Sequence, residues 1–174
     1  MPKLILWTAP TLACVATCAV LLSPAALAEP PSAPLFALPT GEGAVDLARL
    51  KGRVVYLDFW ASWCGPCRKS FPWMNAMQAK YAGQGLTVIA VNLDQDKALA
   101  AKFLAEHPAT FTVAYDPKGQ TAERYGVKGM PSSYLVDREG RLQMTHLGFR
   151  DQDREALEAE LRKLLGTAVA GAAP

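Results

Sequence analysis

The sequence predicts an α/β domain with a mixed sheet, and three observations carry that prediction. Buried-strand runs alternate with stretches of helical period from Val54 to Tyr125. Two further strand-like runs flank the turn Arg138-Glu139-Gly140-Arg141, which reads as a hairpin. Leucines at helical spacing then close the pattern at Leu165. With 174 residues, 51% of them hydrophobic and 20% charged, the chain suffices for one ordinary core and is short for two.

The elements follow in order. EPPSAPLFALPTGEGA is rich in Pro, Gly and Ala and suits an extended lead-in and a turn better than a regular element, so order is expected to begin near Leu35. VVYLDFW (Val54 to Trp60) is the first buried strand. A helix follows with Phe71, Met74, Met77 and Tyr81 on one face and Gly83-Gln84-Gly85 as its stop. LTVIAVNLD (Leu86 to Asp94) is the second strand. DKALAAKFLAEH (Asp96 to His107) is a helix, with Asp96 at its start and Pro108 past its end. FTVAY (Phe111 to Tyr115) is a short third strand. After the turn Asp116-Pro117-Lys118-Gly119 a short helix runs through Ala122 to Tyr125. SSYLVD (Ser132 to Asp137) and LQMTHLGF (Leu142 to Phe149) form the hairpin. The last helix is capped by Asp151 or Asp153, with Leu157, Leu161, Leu164 and Leu165 on one face.

The first 28 residues read as a secretory signal peptide. Lys3 is the only charge before a long apolar run that ends in Ala26-Leu27-Ala28, small residues at the positions a signal peptidase reads. A retained membrane anchor is the alternative; Pro10, Pro24 and the Ala-Leu-Ala ending favour cleavage. The expected organisation is therefore a signal at 1–28, a flexible lead-in at 29–34, one domain at 35–166 and a mobile tail at 167–174. Cleavage would remove Cys14 and Cys18 and leave Cys64 and Cys67 in a compartment that permits disulfides. The 18 basic and 16 acidic residues are interspersed, so bulk charge recruits neither nucleic acid nor an anionic membrane.

The chemistry centres on WASWCGPCRKSFP, where the first strand passes into the first helix. A structural staple fails on loop length, because closing so short a loop constrains little. A metal site fails on ligands: only His107 and His146 accompany the two thiols, and neither makes a second close pair. No metal and no cofactor is expected. Peroxidatic chemistry is disfavoured by Leu57 and Ala61, which hold the places of a Pro and a Thr or Ser. Thiol–disulfide exchange remains. A helix N-terminus lowers a thiol pKa, so Cys64 is read as the attacking thiol and Cys67, one turn further in, as the resolving thiol. Pro66 is tolerated in the first helical turn, and Gly65 keeps the surface bare for a protein substrate. Trp60 and Trp63 are read as packing and shaping that surface.

These residues carry a resemblance. DFWASWCGPC resembles the active-site segment of thioredoxins, and the stretch from Leu35 to Leu165 behind a secretion signal is similar to the TlpA/ResA-like periplasmic thiol–disulfide oxidoreductases. Pro72, five residues past Cys67, and GVKGMPSSYLVDREG agree with it. The resemblance implies a thioredoxin-like fold, a mixed central sheet flanked by helices, with an inserted helix–strand unit before a cis-proline loop. It makes Pro131 that cis-proline, lets Met130 offer backbone groups to a substrate strand, and puts a buried acid at Asp58, able to take the proton of Cys67. The pattern also departs: the usual lysine partner of that acid is replaced by Ala90, and a glutamate of some relatives by Ser70.

Gly65-Pro66 between the cysteines resembles the reductants of the family, which implies a periplasmic protein-disulfide reductase. Its implied partners are thiol or disulfide proteins and a membrane electron donor of the DsbD/CcdA kind, with roles in cytochrome c maturation or copper-centre assembly. A monomer is expected. The alternative is a copper-binding assembly chaperone that uses the same dithiol, since soft thiolates suit copper(I).

Overall fold

β-Branched and aromatic residues place the most apolar runs at the centre of the sheet. The computed structural model describes residues 29–166. The expected signal, with Cys14 and Cys18, and the expected tail lie outside the described residues. Among those described, the strands are β1 (Ala37–Thr40), β2 (Gly43–Asp46), β3 (Val54–Trp60), β4 (Leu86–Asn92), β5 (Thr112–Tyr115), β6 (Ser132–Val136) and β7 (Leu142–Leu147). They pair in the order β2-β1-β5-β4-β3-β6-β7. The helices are α1 (Cys67–Tyr81), α2 (Lys97–Glu106), α3 (Gln120–Arg124) and α4 (Arg154–Gly166).

Strands β3, β4 and β5 are parallel, as the helical crossovers between them require, while β6 and β7 add as an antiparallel hairpin. All seven positions of β3 are buried. Alternation then sorts its side chains. Val54, Tyr56 and Trp60 pack with α1, α2 and α4 on one face; Val55, Leu57 and Phe59 pack with α3 on the other. Asp58 belongs by parity to the first set, so a carboxyl sits in the layer between the sheet and α1.

Local signals end the helices where expected. Asp96 caps α2 by accepting the Ala98 N–H at 2.8 Å. Past α1, Gly85 adopts φ 96°, a left-handed conformation that a side chain would resist.

Two expectations are corrected. The segment read as an irregular lead-in and turn contains the hairpin β1–β2, and β1 extends the sheet by pairing Thr40 with Ala114 of β5. Strands of four residues with Leu38 as the one buried position of β1 have no readable alternation; pairing with each other, and of β1 with β5, creates them. The lead-in at 29–34 is also docked rather than flexible. Leu142 N–H donates to Pro31 C=O at 2.8 Å and Ala33 N–H to Gly140 C=O at 2.9 Å, with Ala33 buried. Order therefore starts ahead of Leu35, because the hairpin end of β6–β7 offers backbone groups that Pro31 and Ala33 satisfy.

Candidate active site

Strand β3 delivers the chain into a tight turn, Ala61–Pro66, which α1 then continues. A buried carboxylate holds that turn. Asp94, just past β4, accepts the Ser62 N–H at 2.8 Å, the Ser62 hydroxyl at 2.9 Å and the Asn92 side-chain amide at 2.8 Å. This clamp, which the sequence reading missed, ties the segment ahead of Cys64 to the end of the neighbouring strand. Asp94→Ala would orphan the buried Asn92 amide and the partly buried Ser62 donors and is expected to cost about 2–4 kcal/mol. Urea unfolding checks this: a loss below about 0.5 kcal/mol would show that the clamp bears no load.

Cys64 and Cys67 form a disulfide. Helix α1 begins at Cys67, so Cys64 lies ahead of the helix, with Pro66 as its N-cap, rather than within the first turn. The helix start still serves Cys64, since the Cys67 N–H donates to its sulfur at 3.3 Å. Cys64 is 2% exposed and Cys67 0%, so the expected outward and inward placement survives only as a narrow opening at Cys64. Gly65 and Pro66 are exposed beside it, and Gly65 has open space where a side chain would stand. Ser70, at the place of the missing glutamate, is buried and donates to the Cys67 carbonyl at 3.1 Å.

Around the disulfide the two tryptophans part company. Trp60 is wholly buried, with its ring 4.9 Å from Phe71 and 4.7 Å from Phe103. Trp63 is 70% exposed and forms one wall of an open groove of about 470 Å³, shared with Leu93, Val127, Gly129 and Met130. The Met130–Pro131 peptide is cis. The backbone N–H and C=O of Met130 make no hydrogen bond among the described residues, while the Pro131 carbonyl is taken by Gly148 N–H at 2.7 Å. Met130 therefore presents free backbone groups on the groove, which suits an incoming extended segment.

Beneath α1, Asp58 is fully buried, and desolvation pushes its carboxyl up to about 7 against the pull of one hydrogen bond. That bond comes from Ser133 on β6, whose hydroxyl donates to Oδ1 at 2.7 Å. Oδ2 is buried without a partner. On the other side Asp58 stands in register with Ala90 of β4, the place where a lysine would reach it. Sequence reasoning missed Ser133; only strand pairing brings it to Asp58, 75 residues away.

The histidines lie apart from this centre. His107 caps α2 with its ring 4.7 Å from Phe103, and His146 Nε2 is 3.4 Å from the Asp153 carboxylate. Among the described residues, no three or more His, Cys, Asp or Glu side chains converge as a metal site.

Residues 28–161 match the sequence profile of the family described as Redoxin. The chain is 35% identical over 133 residues to thiol-disulfide oxidoreductase ResA of Bacillus thuringiensis subsp. konkukian, covering 76% of each chain. It is 33% identical over 125 residues to ResA of Bacillus subtilis, covering 71% of this chain and 70% of the relative. A crystal structure from Chlorobium tepidum named as a thiol:disulfide interchange protein DsbE is similar at TM-score 0.78 and 60% identity. That match covers 81% of this chain and all of the other.

Proposed function

Because the chain belongs to the Redoxin family, in the ResA/TlpA-like branch of the thioredoxin superfamily, we propose that this thiol–disulfide oxidoreductase works as a protein-disulfide reductase. In the first step the Cys64 thiolate attacks one sulfur of a substrate disulfide; a mixed disulfide forms and the other substrate sulfur leaves as a thiolate. In the second step Cys67 gives its proton to Asp58 and its sulfur attacks Cys64. The Cys64–Cys67 bond forms, the bond to substrate breaks, and two electrons have passed to the substrate. The substrate segment lies beside Cys64 in the groove lined by Trp63 and Met130, with Gly65, Pro66 and Pro131 as its further contacts.

The direction rests on one observation. Among the described residues the Cys64 sulfur accepts only the Cys67 N–H, and Gly65 and Pro66 add no side-chain donor or cation that would stabilise the thiolate. Strong oxidants draw their power from a stabilised reduced form, so a sparsely stabilised thiolate favours reduction of partners. The reduction potential of the Cys64–Cys67 pair is expected below about −200 mV, in the range of reductants. A value near that of DsbA, about −120 mV, would overturn the assignment.

The setting and partners belong to the same proposal. The expected signal at 1–28 supports a periplasmic location, where a reductase needs recharging from a membrane donor of the DsbD/CcdA kind. Protein thiols and disulfides in cytochrome c maturation or copper-centre assembly are its proposed substrates. Cys67→Ala used as bait in a periplasmic extract would identify them by the mixed disulfides it retains.

A further inference from the structure

We propose that Tyr56 and Ser133 form a pair of hydroxyls that positions and tunes Asp58, in the role a basic side chain would otherwise fill. The proposal deepens the reading of Asp58 as proton acceptor for Cys67 and rests on it. The geometry is a chain of two bonds: the Tyr56 hydroxyl donates to Ser133 Oγ at 2.8 Å, and Ser133 Oγ donates to Asp58 Oδ1 at 2.7 Å. All three residues are buried, on adjoining strands β3 and β6.

Hydroxyl chemistry makes the order of donation meaningful. Ser133 has a single hydrogen; with Tyr56 donating into its oxygen, that hydrogen is directed to the carboxyl. Tyr56 in turn stays protonated, since burial first and the charge of Asp58 second push its ionisation far above the ordinary range. The pair is thus a fixed donor at Oδ1, and Oδ2, unpartnered, is the oxygen left to receive a proton.

Few titratable groups compete. On β3, Tyr56 and Trp60 share the face of Asp58, and β4 sets Ala90 in register with it; Cys67 of α1 and Leu157 and Leu161 of α4 belong to the core on that face. Across the ladder from Ser133 on β7 stands His146, which lies against Asp153 rather than Asp58. No Lys or Arg among the described residues perturbs Asp58. Desolvation raises the Asp58 carboxyl and the Ser133 hydrogen bond lowers it, which leaves it at about 7, where it can both take and release a proton; Tyr56 acts through Ser133.

The test follows the Asp58 carboxyl itself in reduced protein carrying carboxyl-13C aspartate, titrated by NMR. Ser133→Ala is expected to raise the Asp58 midpoint by about one pH unit or more. Tyr56→Phe is expected to raise it by less, and Ser133→Thr, which keeps the hydroxyl, to restore the wild-type midpoint. A purely structural Ser133 would lower stability and leave the midpoint in place. An unmoved midpoint in Ser133→Ala or in Tyr56→Phe overturns the proposal; if Ser133→Ala does not fold, Tyr56→Phe decides alone. The pH profile of the second exchange step separates the two readings. A moved midpoint with an unmoved profile would keep the hydroxyl pair and remove Asp58 as the proton acceptor.

Discussion

Cys67→Ala is expected to stop turnover, by at least about a thousandfold, while leaving Cys64 able to attack and to stay joined to its substrate. The reason lies in the geometry of the two sulfurs. Cys64 has the only opening to solvent, and Cys67 is sealed beneath it at the start of α1, so the buried thiol can reach a mixed disulfide only from inside. Without that attack the mixed disulfide has no intramolecular exit. Cys64→Ala should lose turnover to the same degree and trap nothing. Non-reducing gels with a disulfide protein as substrate read both results. Trapping by Cys64→Ala and none by Cys67→Ala would reverse the assigned roles.

Asp58→Asn is expected to act in opposite directions on rate and on stability. The second exchange step should slow by about 100-fold at pH 7 and lose its dependence on pH around 7, since the proton acceptor is gone. Stability should rise. In the unfolded chain this carboxyl ionises near its ordinary value of 3.8, and in the fold near 7. Between those values the native state holds a proton that the unfolded state has released, so stability falls as pH rises through the window and levels off above it. An ionised Asp58 at pH 8 thus costs about 4 kcal/mol. Asparagine removes that cost but buries an unpartnered amide, worth about 1–3 kcal/mol, which leaves a net gain of about 1–3 kcal/mol. At pH 4 the gain should turn into a loss, because Asp58 is already neutral there while the cost of the buried amide remains. Urea unfolding of the oxidised protein at pH 4 and pH 8 measures both; equal differences at the two values would contradict a buried, high-pKa carboxyl.

That a protein should keep a destabilising acid at the centre of its sheet is understandable if the acid works. Its burial is set by β3, where every position is covered, and its one hydrogen bond comes from Ser133. The same burial that weakens the fold at neutral pH brings the carboxyl to the range where it can accept the proton of Cys67 and give it up again. Function and instability are here two readings of one desolvation.

Much of this was legible in the chain. Long apolar runs announced β3 and β4, and helical spacing with Asp96 and the glycines at 83 and 85 announced α1 and α2, because these signals are local. The dithiol and its junction were legible for the same reason. The hairpin β1–β2 was not, since its short, Pro- and Gly-containing strands become strands only by pairing with each other and, through Thr40, with β5. Asp94 was read only as the end of the second strand and Ser62 only as part of the segment before Cys64; the two bonds between them exist only once β3 and β4 lie side by side.

By itself, then, the sequence determined which chemistry is present: two thiols at a strand–helix junction, an acid on a buried strand and a proline loop resembling that of thioredoxins. The tertiary structure alone decided how that chemistry is held. It put Ser133 on Asp58 from a strand 75 residues away, with the Tyr56 hydroxyl behind it, left Ala90 opposite, and closed Asp94 over the turn before Cys64. Periodicity and residue type report what a segment does with its own neighbours, whereas hydrogen bonds across strands depend on register, which no local pattern specifies.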